Sequence, residues 1–142
     1  MPLPASRRES LISGCPLFHA LEPVAITALA AAAVEVEYPA GRTIAREGEI
    51  GTGLFIVEEG TVHVVRGGTT VAHLVPGDFF GELSVLDGGP RIAAVVADTP
   101  TRCLAVATWD LERVLHDEPG AALAVLRVVA ARLREASSDH RS

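Results

Sequence analysis

The spacing of hydrophobic positions changes twice along the chain. From Glu22 to Ala33, the residues Val24, Ile26, Leu29, Ala30 and Ala33 recur at helical intervals, and Pro23 is tolerated in a helix's first turn. Upstream, Arg8 to Ser13 reads as a helical turn closed by Gly14, and Pro16-Leu17-Phe18 as a packed connector. From Val34 to about Thr108 the helical period disappears. Short runs of strand-forming residues replace it: Val34–Tyr38, Thr43–Ala45, Leu54–Val57, Thr61–Arg66, Val71–Val75, Ile92–Ala97 and Arg102–Ala107. Glycine or proline punctuates the gaps, at Gly41, Gly48, Gly51, Gly53, Gly60, Gly67-Gly68, Pro76-Gly77 and Pro100. Strands this short, about ten residues apart, predict a sandwich, barrel or β-roll. After Trp109 helical spacing returns, over Asp110–His116 and from Pro119 to about Ala136. The expected fold is mainly β with flanking helices. It divides into a helical segment over 1–33, a β-core over 34–108 and C-terminal helices over 109–142, all in one domain.

In the last helix Leu123, Leu126, Ala130 and Leu133 form one apolar face, with Val125 and Val129 beside it and Arg127, Arg132 and Arg134 on the other side. The simplest use of that stripe is packing against the β-core; a dimer seam or a lid over a ligand are the alternatives.

Composition narrows the function classes. All 12 basic residues among the 142 are Arg, against 18 Asp and Glu, for a net charge of −6. An acidic chain of this kind lacks the basic stripe that a nucleic-acid surface needs. Apolar stretches fall short of a membrane helix, and the one after Arg7-Arg8 is too short for a signal peptide, so a cytoplasmic protein is expected. Cys15 and Cys103 lie far apart without C-x-x-C spacing, which excludes a zinc ribbon or a thioredoxin-like motif and predicts two buried free thiols.

One segment carries candidate chemistry. Pro76-Gly77-Asp78-Phe79-Phe80-Gly81-Glu82-Leu83-Ser84 runs from a glycine turn into a short helical stretch, and Gly88-Gly89-Pro90 then breaks the chain before Arg91. Free amides at such a turn suit an anion, and Gly81 lets one approach the backbone. Arg91 is the only Arg or Lys between Arg66 and Arg102 and can reach the same anion. A carboxylate at Glu82 is awkward beside phosphate unless it accepts hydrogen bonds, and a sugar hydroxyl is the natural donor. Phosphate plus ribose is the ligand chemistry these residues suggest.

Phe80-Gly81-Glu82-Leu83-Ser84, followed after eight intervening residues from Glu82 by Arg91-Ile92-Ala93, resembles the phosphate-binding cassette of the cyclic nucleotide-binding domain family. Pro39-Ala40-Gly41-Arg42-Thr43-Ile44, Glu47-Gly48-Glu49, Leu54-Phe55-Ile56-Val57 and Glu59-Gly60-Thr61-Val62 resemble that family's strand signature in the same order. The likeness spans about Leu17 to His116. The Glu-to-Arg spacing resembles kinase-regulatory and channel members; catabolite activator-type members carry one residue more. The resemblance implies a double-stranded β-helix, a jelly-roll-like β-roll, with short N-terminal and C-terminal helices, binding cAMP without enzymatic activity. It implies that Glu82 accepts from the ribose 2′-hydroxyl, Arg91 pairs with the cyclic phosphate, and the backbone amides of Gly81, Leu83, Ser84 and Ile92 complete the anion nest. Val64, Val71 and Leu74 become apolar walls for the base. At Ile92 the family commonly has Ala, Ser or Thr, and a hydroxyl there marks cGMP-preferring members; Ile has none, which favours cAMP. Many members cap the base with an aromatic from the last helix. None follows Trp109 here, so a lid uses Leu123, Leu126 or Leu133, or an Arg such as Arg132. With no room before Ser142 for a helix-turn-helix domain, output is expected to pass to a partner protein or through a homodimer at the C-terminal helix.

Plainer readings stand beside these. Glu82 and Arg91 can form a structural ion pair in an empty cassette, leaving an interaction or oligomerisation module, with Ile92 as its main support. A cupin-like enzyme would need metal ligands, and His63 and His73 lack the His-x-His and following carboxylate for them, so they read as ordinary strand histidines. Asp78 reads as a turn former, and Ser84 has no nucleophile-elbow context.

Overall fold

The computed structural model describes residues 2–139. Its elements are α1 (Ala5–Gly14), α2 (Pro23–Ala32), β1 (Val34–Tyr38), β2 (Thr43–Ala45), β3 (Gly53–Glu59), β4 (Val62–Arg66), β5 (Thr69–Leu74), β6 (Phe79–Phe80), α3 (Glu82–Asp87), β7 (Ala94–Ala97), β8 (Thr101–Ala107), α4 (Thr108–Asp117) and α5 (Pro119–Asp139). The strands form two four-stranded sheets, ordered β1-β8-β3-β6 and β2-β7-β4-β5, with every pairing antiparallel. This is the expected β-roll between helices. The two-residue β6 has no counterpart among the expected strands, because two phenylalanines are too short a run to show a strand period.

Leu54-Phe55-Ile56-Val57 is apolar throughout because β3 has a core on each side. On the outward face Leu54 lies opposite Val106 of β8, and Ile56 opposite Leu104. These four join Leu11, Ile12, Leu17, Phe18, Leu29, Leu111 and Val125 in a core shared with α1, α2, α4 and α5. On the inward face Phe55 lies opposite Ala105, and Val57 opposite Cys103. They meet Ala45, Val62 and Val95 of the second sheet. Arg8 ties the N-terminal helices to the roll: its guanidinium donates to the carbonyls of Ala30 and Ala33 and pairs with Glu35 at 3.3 Å. Cys15 and Cys103 are buried free thiols, one in each core. Burial pushes their pKa values up to about 11 and about 12, so neither is a thiolate at neutral pH.

The last helix turns the other way from the simplest expectation. Ala121 and Val125 are buried and Val128 packs against the core beside them, while Leu126 and Leu133 are 61% and 67% exposed. The inward residues recur at i, i+4 and i+7, and the leucine stripe lies on the far side of the helix. Alanine and valine suffice on the inner face because α5 lies close to α4 there, so the leucines do not pack on the β-core.

Candidate ligand-binding site

β6 and α3 are joined by Gly81, which adopts a left-handed conformation at φ 88°. That turn points Glu82 and Ser84 of α3 into a cavity of about 210 Å³ between the sheets. Gly88, also left-handed, ends α3 after six residues. The chain then returns to Arg91, whose backbone is fixed by a reciprocal pair: its amide donates to Glu49 O and its carbonyl accepts from Gly48, both at 2.8 Å. Ala45, Val64, Leu74, Phe79, Phe80 and Val95 give the cavity apolar walls. Glu82, Ser84 and Arg91 are the polar side chains lining it among the described residues.

The two charged groups have different surroundings. Arg91 donates from Nη2 to Gly53 O at 3.1 Å, and its guanidinium lies 5.7 Å from the centre of the Phe55 ring, which in turn stacks on Phe80. No carboxylate lies within 4.0 Å of it among the described residues. Burial lowers the Arg91 pKa, opposed by the more distant Tyr38, Glu49 and Glu82. Glu82 instead faces Arg132 of α5, with Nη1 at 3.8 Å, and that guanidinium sits 4.7 Å over the Phe79 ring. Glu82 and Arg91 therefore do not pair with each other, contrary to the structural ion pair open to the sequence. A half-buried cation with no carboxylate in contact among the described residues, in a cavity that also carries Glu82 and apolar walls, can take an anion that also carries hydroxyls and a flat apolar part.

The structure gathers Gly81, Glu82, Ser84, Arg91, Ile92, Val64 and Leu74 around this one cavity. Leu83 contributes its backbone within α3; its side chain lies outside the described residues. Val71 is a correction: it is 57% exposed and does not line the cavity. Ala72 and Leu74 take the inward positions of β5, and Val71 shares the outer face with His73. His63, on that same outer face, pairs with Asp98. Leu123, Leu126, Leu133 and Arg132 do not themselves line the cavity, but Arg132, one helical turn beyond Val128, touches two residues that do, Glu82 and Phe79. The residues that sequence reasoning missed are Phe55, Phe79 and Phe80, which support the two guanidinium groups. Their clustering beside glycines was the available signal.

The family model for the cyclic nucleotide-binding domain matches residues 35–118. The chain belongs to that family. This cyclic nucleotide-binding domain is 37% identical over 133 residues to a cyclic AMP receptor protein of Thermus thermophilus, covering 90% of this chain and 62% of that protein. It is 32% identical over 136 residues to a CRP-like cAMP-activated global transcriptional regulator of Mycobacterium tuberculosis, covering 92% of this chain and 61% of that protein. It thus spans about three fifths of the length of these relatives. Among solved structures, the N-terminal domain of a transcriptional regulator from Streptomyces coelicolor superposes with a TM-score of 0.81 at 36% identity, covering 90% of this chain and 95% of that one.

Proposed function

We propose that this domain is a non-enzymatic cyclic nucleotide sensor, with cAMP as its ligand, in a cytoplasmic protein. Arg91 carries the reading: it is a half-buried guanidinium with no carboxylate partner among the described residues, at the edge of a cavity sized for a small ligand. In the bound state Arg91 pairs with the cyclic phosphate, and the backbone amides of Gly81, Leu83, Ser84 and Ile92 complete its coordination. Glu82 accepts from the ribose 2′-hydroxyl, and Val64 and Leu74 pack on the base. Ile92 offers no hydroxyl, which favours cAMP over cGMP. Glu82 is also the contact of Arg132, so a ribose at Glu82 competes with α5 for one carboxylate. Binding thereby shifts α5 between two positions, to the extent that the ligand's affinity differs between them.

Calorimetric titration with cAMP and cGMP, on wild type and Arg91→Ala, tests this. Micromolar or tighter cAMP binding is expected, weakened about tenfold or more when the charged hydrogen bonds of Arg91 are removed. Absence of heat and of a thermal shift with both nucleotides sinks the sensor reading and leaves an interaction module.

Output passes through α5. Its exposed leucine stripe suits a second copy of the chain or a partner protein, since an apolar helical face of this kind is costly in water. Size-exclusion chromatography of Leu126→Glu checks the homodimer: a shift from dimer to monomer supports it, and an unchanged elution volume removes this face as the seam.

A further inference from the structure

Arg91 is held by the loop between β2 and β3 and by the first residue of β3. Glu49 and Gly48 fix its backbone, Ile50 bridges to Pro90, and Gly53 O accepts from its Nη2. Between these contacts lies Gly51, itself buried. A Cβ placed on Gly51 would stand 2.5 Å from Cζ of Arg91 and 2.6 Å from Nε and Nη2. At another of its atoms, a Cβ on Gly81 would stand 2.6 Å from Nη1. The guanidinium packs against two glycine backbones, in space that exists only because both lack a side chain.

The two glycines differ in kind. Gly81 needs its residue type for backbone reasons too, with φ 88° and a built Cβ 2.8 Å from Gly53 O, so changing it strains the turn itself. Gly51 has no such φ, and the three nearest atoms in a methyl's way all belong to the Arg91 guanidinium. An alanine at Gly51 therefore leaves the backbone in place and moves the far end of a flexible side chain. We infer that Gly51 is a positioning residue for the anion site: the missing side chain sets where the Arg91 guanidinium sits, and through it how tightly the ligand phosphate is held. This rests on the reading of Arg91 as the phosphate ligand, and it assigns a ligand-affinity role to a residue that does not itself line the cavity.

Gly51→Ala is the test, with two readouts. In calorimetry, cAMP affinity falls about tenfold or more, because the displaced guanidinium loses its geometry toward the phosphate. The thermal midpoint without ligand stays close to wild type. In an Arg91→Ala background the same substitution changes affinity by less than about twofold, since the two residues act as one unit. The second readout needs no ligand: the Arg91 Nε–H resonance, assigned by its loss in Arg91→Ala, shifts in Gly51→Ala. Unchanged or tighter binding in Gly51→Ala, or an equal loss in the Arg91→Ala background, overturns the inference. If the wild-type chain takes up no nucleotide, the sensor reading fails, and the resonance alone then decides the role of Gly51: an unmoved signal removes it.

Discussion

On the outward face of β3, Leu54 and Ile56 lie opposite Val106 and Leu104 and are covered by the helices. On the inward face, Phe55 and Val57 look into the space between the sheets, which closes around Val62, Val95 and Cys103 but opens into a cavity toward Arg91. Both faces come from one strand with alternating side chains. On the first, Leu54, Ile56, Leu104 and Val106 are fully buried; the second keeps about 210 Å³ unfilled, with three polar side chains at its edge. Stability and ligand chemistry are thereby separated by a single period of the strand. Substitutions on the outward face should register in folding, and those on the inward face near the cavity in binding.

The largest expected effect breaks the sealed face. Leu104→Ala removes a side chain with no exposed surface among neighbours that cannot collapse freely, and should cost about 2–5 kcal/mol of unfolding free energy in denaturant titration. Affinity for cAMP, measured well below the new midpoint, should stay at the wild-type value. A loss of affinity in the folded variant would show that the two faces are coupled rather than separate.

That separation is only half visible in the sequence. The glycine-punctuated runs mark the strands, and Glu82 with Arg91 marks the site, because each reflects a local demand: a turn, an anion, a charge set alone. The run from Leu54 to Val57 gives no hint of which residue faces which core, since both sides are apolar. The leucines of the last helix invite an inward reading, because a segment rich in Ala, Val and Leu offers two apolar faces, and only the packing against α4 selects the smaller side chains. Arg132 is one of several lid candidates in the sequence, and only the placement of α5 beside Glu82 singles it out from the leucines. Gly51 looks like any turn glycine, and its reason lies in a side chain about forty residues away in sequence.

A middle-sized effect belongs to the open face. Val64→Ala thins the wall of a cavity that is already unfilled, so its stability cost should be about 1 kcal/mol, well below that of Leu104→Ala. The binding cost should be of similar size, about a fivefold weaker Kd for cAMP, because less apolar surface is buried against the base. Equal affinity in wild type and Val64→Ala would show that the base is held elsewhere.

The smallest effect sharpens the same contrast within one hairpin. Val71 and Leu74 both sit on β5, an edge strand, and both are apolar, so composition alone treats them alike. Pairing distinguishes them: Leu74 lies opposite Val62 of the inner core, whereas Val71 is left without a partner where the register shifts between Val64 and Val65, and it stands exposed with His73 on the outer surface. Val71→Ala should therefore change stability by no more than about 0.5 kcal/mol and leave cAMP affinity where it was. A binding loss matching that of Val64→Ala would mean that β5 turns its other face to the ligand in the bound state. The hairpin would then have to shift its register by one residue, which moves every side chain on the strand to the opposite face.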